Sequence, residues 1–115
     1  MSPAVERKQL LAATFPERRV SSVDVREIRL EANQQAGRHL HPCAVTGYIV
    51  SGTAVYQIEG EEQQVLPAGS AFYEPAETVI ANFGNASSTE AMTFIAFYLK
   101  DGDQELIQML EEKSS

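Results

Sequence analysis

The two histidines of the chain, His39 and His41, lie in the segment Gly37-Arg38-His39-Leu40-His41-Pro42. On an extended strand, residues two apart point to the same side. Two neutral imidazoles on one side can bind a divalent transition metal, with zinc, nickel, iron or manganese as the candidates. His39 and His41 are therefore candidate metal ligands. The alternative is a pair of pocket histidines that bond only to protein groups or water.

Two histidines are an incomplete ligand set, because a catalytic zinc site usually has three protein ligands and a structural site four. Cys43 continues the spacing of two and would complete a soft His₂Cys site on an unbroken strand. Pro42 interrupts regular strand pairing, however, and a lone buried cysteine commonly packs as a small apolar residue. Cys43 is therefore only an outside alternative as a third ligand.

Composition excludes several classes of partner. The chain has 115 residues, 43% of them apolar, which fits one globular domain over residues 1–115. A net charge of −7 disfavours nucleic acid and acidic membrane surfaces as partners. No apolar run is long enough to span a membrane, and residues 1–8 lack the apolar run of a secretion signal. With a single cysteine, these features predict a cytoplasmic protein.

Alternating apolar and polar residues predict many short strands separated by glycine and proline turns, which is typical of a sandwich or barrel. In the first strand, the alternation of Val23, Val25, Ile28 and Leu30 slips by one residue, and we expect a bulge or bend there. The expected strands cover residues 23–30, 47–50, 53–58, 63–66, 70–73, 78–83 and 92–99.

The two ends of the chain have a different pattern. Residues 1–22 form an N-terminal arm, helical or loose, in which Val5, Leu10 and Leu11 could form an apolar stripe that Pro16 ends. After the break at Asp101-Gly102, a helix is expected over about residues 103–112, with Asp103 as its cap and an apolar face. The barrel between them covers about residues 23–99.

The region from residue 23 to 99 resembles the small single-domain cupins, the RmlC-like proteins with a conserved barrel. The resemblance implies an all-β, double-stranded β-helix (jelly-roll) barrel, here with short terminal helices. The matching residues are His39, His41 and the closing Gly52 of a first motif, with Asn33 at its opening glycine, and Pro67-Ala68-Gly69, Tyr73-Glu74-Pro75 and the final Asn85 of a second.

The same resemblance locates the family's other two metal ligands. Its glutamate falls at Val45 and its second-motif histidine at or near Ile80, and neither side chain can bind a metal. Because the family's ligands face the barrel lumen, we expect Val45 and Ile80 to line a rather apolar pocket there. Thr78 and Asn82 share the parity of Ile80 and are expected to add polar groups to the same lining.

Two functional hypotheses follow. The first is a cupin-fold protein that binds a small-molecule ligand in the barrel lumen, with at most a weakly held divalent metal and no established catalysis. The alternative is a metal-dependent enzyme of the dioxygenase or isomerase type that uses His39 and His41. A purely structural subunit would instead have a lumen filled with side chains.

Assembly is the last expectation. Small cupins commonly pair through the edges of their sheets, and open edges must be covered or paired. The N-terminal arm carries Leu10, Leu11 and Phe15, which are too apolar to remain in water. We therefore expect the arm to pack on its own barrel or on a neighbour's, within a two-fold homodimer.

Overall fold

Two antiparallel β-sheets make up the computed structural model, which describes residues 3–112. The predicted arm includes residues 1–2 and the predicted domain includes residues 113–115. Both of these segments lie outside the described residues. The strands are β1 (Ser22–Leu30), β2 (His39–Leu40), β3 (Ala44–Ser51), β4 (Thr53–Ile58), β5 (Gln64–Pro67), β6 (Ala71–Glu74), β7 (Ile80–Asn85), β8 (Met92–Lys100) and β9 (Gln108–Met109).

The four-stranded sheet has the order β1-β8-β3-β6, and the five-stranded sheet has the order β5-β4-β7-β2-β9. Their inner faces pack together around a cluster of aromatic rings, with centroids of Phe72, Phe83 and Phe94 between 4.8 and 5.9 Å apart. This arrangement confirms the predicted all-β jelly-roll fold. Gly47 leaves room in the four-stranded sheet for the Phe72 ring, which would overlap any Cβ added there.

The expected bulge in the first strand is wrong. β1 pairs with β8 in continuous register from Ser22–Lys100 to Leu30–Met92. The slip in the apolar pattern marks a change of face instead. Val23 and Val25 lie on the outer face of the sheet and are each 55% exposed, whereas Ile28 and Leu30 lie opposite buried residues of β8 on the inner face.

The expected terminal helices are also wrong, because residues 3–112 contain no helix. The arm from residue 3 to 20 has no regular structure, in keeping with the marginal stability of a short helix in water. Its Phe15 stacks on Tyr73, with ring centroids 5.4 Å apart. Instead of the helix over 103–112, the chain adds β9 to the edge of β2, with Leu110 N–H donating to Arg38 O. Pairing with an open sheet edge outweighs the local helical pattern. No membrane-spanning helix occurs within residues 3–112.

Asn85, the residue at which the second motif ends, ties three segments together. Its buried side-chain amide donates to Glu31 O at 3.1 Å and to Glu90 O at 2.7 Å, and its Oδ1 accepts from Ser87 N–H at 2.9 Å. These bonds join the end of β7 to the chain after β1 and to the chain before β8. A buried amide with this many partners fixes the loops at that end of the barrel.

We expect Asn85→Ala to lower the free energy of unfolding by about 2–3 kcal/mol, because buried carbonyl and N–H groups lose their partners. Urea denaturation monitored by circular dichroism measures this change. Ser88→Ala, in the neighbouring exposed loop, is the control and should stay within about 0.5 kcal/mol of the parent. Equal stability of the two variants would contradict the structural role of Asn85.

Candidate metal centre

The two histidines lie side by side inside the barrel. β2 is held between β7 and β9, and it positions His39 directly opposite Ile80 of β7. His41 follows two residues later, and both side chains are at most 5% exposed. Their ring centroids are 4.9 Å apart. The spacing of two residues therefore brings both imidazoles to one place.

Each imidazole is oriented by a bond from its Nδ1 atom to a backbone carbonyl. His39 Nδ1 lies 2.7 Å from Gly37 O, and His41 Nδ1 lies 2.6 Å from Leu106 O in the chain leading to β9. A carbonyl oxygen only accepts, so Nδ1 carries the proton in both rings. In the neutral tautomer the lone pair is then on Nε2, the arrangement seen in metal-ligating histidines.

Glu74, at the end of β6, brings a carboxylate to the two Nε2 atoms. Its Oε2 lies 2.5 Å from His41 Nε2 and its Oε1 lies 3.7 Å from His39 Nε2. One ligand atom from each of the three residues can be chosen so that all lie within 4.8 Å of one another. His41 Nε2 is fully buried, yet it makes no hydrogen bond of acceptable geometry with this close oxygen. A divalent cation would give that buried nitrogen a proper partner, so the residues present fit a metal ion.

The pKa values in the group reflect a buried charge pair. Burial acts to lower the pKa of His41, but the Glu74 carboxylate outweighs it and holds the pKa above its ordinary value of 6.5. Burial acts to raise the pKa of Glu74, but His39 and His41 hold it below its ordinary value of 4.5. Burial, with a contribution from Glu74, raises the pKa of Tyr98 to about 12, so its hydroxyl stays protonated. Glu74 is therefore the anionic group of the site.

A cavity of about 140 Å³ adjoins the three side chains, so the lumen is not filled. Its polar lining residues are His39, His41, Glu74 and Tyr98, and no lysine or arginine is among the lining residues. The remaining lining is apolar and comes from both sheets and from the chain segments before β2 and before β9: Ile28, Leu30, Ala36, Val45, Phe72, Phe83, Phe94, Ala96 and Ile107.

The four residues expected to line the pocket have different places. Val45 does line the cavity, whereas Ile80 is fully buried in the core outside the lining. A bulge in β7 separates Ile80, opposite Ile58, from Asn82, opposite Gln57. The bulge breaks the parity on which the prediction for Asn82 depended.

Thr78 and Asn82, the two polar residues expected to line the pocket, form their hydrogen bonds outside the cavity. The Asn82 amide donates to Gln35 Oε1 at 2.5 Å, and its oxygen accepts from Gly37 N–H at 3.3 Å. Thr78 lies before β7, and its hydroxyl donates to Ala76 O at 3.3 Å. Neither side chain is among those that line the cavity.

Cys43 is not part of the group formed by His39, His41 and Glu74. It is fully buried, and burial raises the pKa of its thiol. A raised pKa opposes formation of the thiolate, which is the form that binds a metal. Cys43, the outside alternative for a third ligand, therefore does not join this group.

Sequence reasoning missed Glu74 as a ligand, although a signal was present. In the predicted strand over residues 70–73, alternation puts residue 74 on the same face as Phe72. In the structure Glu74 lies directly opposite Val45 in the β3–β6 pairing. The carboxylate is therefore supplied by the strand next to the position where the resemblance placed the family's glutamate.

A family model described as "Cupin domain" matches residues 26–98, which is more than half of the chain. The chain belongs to the cupin family. This confirms the family resemblance. Sequence comparison with curated proteins finds no match.

Solved cupin structures share the fold at low sequence identity. A DMSP lyase from Ruegeria pomeroyi superposes with a TM-score of 0.69 at 15% identity, covering 82% of this chain and 46% of the other. A cupin-like protein from Thermotoga maritima gives 0.68 at 20% identity, covering 78% and 65%. An oxalate oxidase gives 0.59 at 21% identity, covering 75% and 45%. This cupin chain spans about half to two thirds of the length of these proteins, and the likeness shows the fold alone.

The coupled pKa shifts predict how the stability of the metal-free protein depends on pH. His41, with a raised pKa, stabilises the fold fully below about pH 6.5, and this contribution is lost as pH rises through the raised value. Glu74, with a lowered pKa, stabilises it above about pH 4.5, and this contribution is lost as pH falls through the lowered value. The pair therefore contributes most between these limits.

We expect the free energy of unfolding, measured in urea with EDTA present, to fall as pH rises above 6.5. Glu74→Gln removes the charge that raises the His41 pKa, so this decline should disappear in the variant. The same decline in both proteins would show that the pair is not coupled as described.

Proposed function

We propose that this cupin is a metal-dependent enzyme that binds one divalent transition metal through His39, His41 and Glu74. The observation that carries the proposal is the convergence of two Nε2 atoms and one carboxylate in a buried site. Three protein ligands are the usual number in a catalytic site, because the remaining positions stay open for water or substrate. The two-histidine set expected from sequence would hold a metal less well.

The ligand chemistry and the cavity favour one of the two enzyme types. Two histidines and one carboxylate form the ligand set typical of mononuclear non-haem iron oxygenases. The cavity beside the ligands is small and mainly apolar. A sugar, the substrate of an isomerase, needs many hydrogen-bonding partners that this lining does not offer. We therefore favour an oxygen-dependent reaction on a small, largely apolar molecule.

The similar structures support an enzymatic role only by analogy, because one fold hosts many functions. One of them is an oxalate oxidase and another a DMSP lyase, so cupin barrels of this shape occur in enzymes. Their substrates are not carried over to this chain. The proposal depends on the chain's own three side chains and on its cavity.

Glu74→Gln should weaken metal binding at least about 100-fold, because losing a direct ligand costs more than losing its supporting hydrogen bond. Calorimetric titration of Zn²⁺ into EDTA-treated protein, prepared without a histidine tag or a nickel column, measures the affinity. Glu62→Gln, in an exposed turn, is the matched control and should bind like the parent. Equal zinc affinity in both variants would contradict the proposed centre.

An open coordination position is the second requirement for catalysis. Nitric oxide serves as a probe for O₂, and we expect the Fe²⁺-loaded protein to give the EPR signal of an iron–nitric oxide complex. Glu62→Gln should give the same signal, and Glu74→Gln should give little because it holds little iron. Iron that is bound at full occupancy without this signal would indicate a closed site and would contradict an oxygen-dependent function.

A further inference from the structure

The chain from residue 104 to 112, which we call the strap, lies along the segment that carries both histidines. It runs antiparallel to residues 38–42 and contacts each of them. The contacts are Gln104 with Pro42, Leu106 with His41, Gln108 with Leu40, Met109 with His39 and Leu110 with Arg38. β2 pairs at two residues with the strap and at one residue with β7 on its other side. The backbone pairing of β2 therefore depends on the strap more than on β7.

The strap itself is held lightly. Within residues 104–112 no residue is fully buried, and Leu106 is the one that packs against the core. The strap follows a turn at Gly102-Asp103, and its strand β9 is two residues long and lies at the edge of the sheet. Segments with few buried apolar contacts open at free energies below that of global unfolding. The strap can therefore leave β2 while strands β1 and β3 to β8 remain paired.

Two neighbouring residues of the strap complete the site. The Leu106 carbonyl accepts the Nδ1–H of His41, and this bond fixes the ring so that Nε2 is available to a metal. Ile107 lines the cavity and is also 39% exposed, so it lies between the cavity and the solvent. Opening of the strap therefore takes the acceptor away from the His41 ring and removes part of the cavity wall.

We propose that closure of the strap is coupled to metal binding at His39, His41 and Glu74. The closed strap completes the ligand set, and a bound metal holds the strap closed. This inference rests on the metal centre proposed above. By linkage, the factor by which closure raises the metal affinity is also the factor by which the metal favours closure. The open form gives a metal ion or a substrate a route into the cavity past Ile107.

Hydrogen exchange followed by mass spectrometry tests the opening in the unaltered chain. After EDTA treatment, the amides of residues 108–110 should exchange faster than those of β3 and β8, which are the central strands of the other sheet. Saturating Zn²⁺ should slow exchange at residues 108–110 at least about tenfold, within the usual range of coupling between two sites. β5 lies at the opposite edge of the same sheet and is the control, so its exchange should change less than about twofold.

A pair of proline variants tests the effect of the strap on metal affinity. Leu110→Pro removes the N–H that donates to Arg38 O, and the Zn²⁺ affinity measured by calorimetric titration should fall at least about tenfold. Met109→Pro is the matched control. Because successive N–H groups of a strand point to opposite sides, that of Met109 points away from β2, and this variant should bind Zn²⁺ within about twofold of the parent. Circular dichroism checks that both variants fold.

Failure of the coupling and failure of the metal centre give different results. Equal Zn²⁺ affinity of Leu110→Pro and Met109→Pro, or exchange at residues 108–110 that Zn²⁺ does not slow, would each overturn the coupling. Exchange at these residues as slow as in β3 of the metal-free protein would do the same. In those cases, weaker Zn²⁺ binding by Glu74→Gln than by the parent would show that the centre stands. Equal binding by the parent and Glu74→Gln would instead refute the centre, and the coupling with it.

Discussion

The buried carboxylate of Glu74 is the constraint on which the rest of the site depends. A charge taken out of water is costly unless oppositely charged or hydrogen-bonding groups surround it. Glu74 has His39 and His41 as its close neighbours, and each of these rings is fixed by a backbone carbonyl. One of those carbonyls belongs to Leu106, so the segment before β9 is part of the compensation. Compensation of the Glu74 charge therefore links the metal centre to the C-terminal segment that leads to β9.

Much of the fold followed from the sequence because strand periodicity and turn residues act locally. The spacing of two residues between His39 on β2 and His41 just after it was sufficient to bring the two rings together. Alternation with Phe72 indicated the face on which Glu74 lies, but its role was missed because that role depends on which strand lies beside β3. The pairing of distant strands cannot be read from a local pattern. Asn82 was misplaced for a related reason, since a single bulge in β7 reverses parity.

Two wrong predictions, the C-terminal helix and the bulge in β1, have physical causes. The segment around Leu106 has helical spacing, yet the open edge of β2 offers it backbone pairing and a histidine side chain offers a further bond. In β1, apolar residues were assumed to face one core. Val23 and Val25 lie on the opposite, outer side of the sheet. The slip in the apolar pattern therefore indicated a second apolar surface and not a distortion of the strand.

β8 connects these two surfaces. Its residues alternate between Phe94, Ala96 and Tyr98, which line the cavity, and neighbours that belong to the outer face. This alternation explains why the strand is apolar on both sides although it lies in a sheet with only one core face. Side chains in packed sheets transmit small displacements, because interiors are close-packed. The shape of the cavity therefore depends on both sides of β8, because a displacement on its outer side reaches the strand that forms one wall of the cavity.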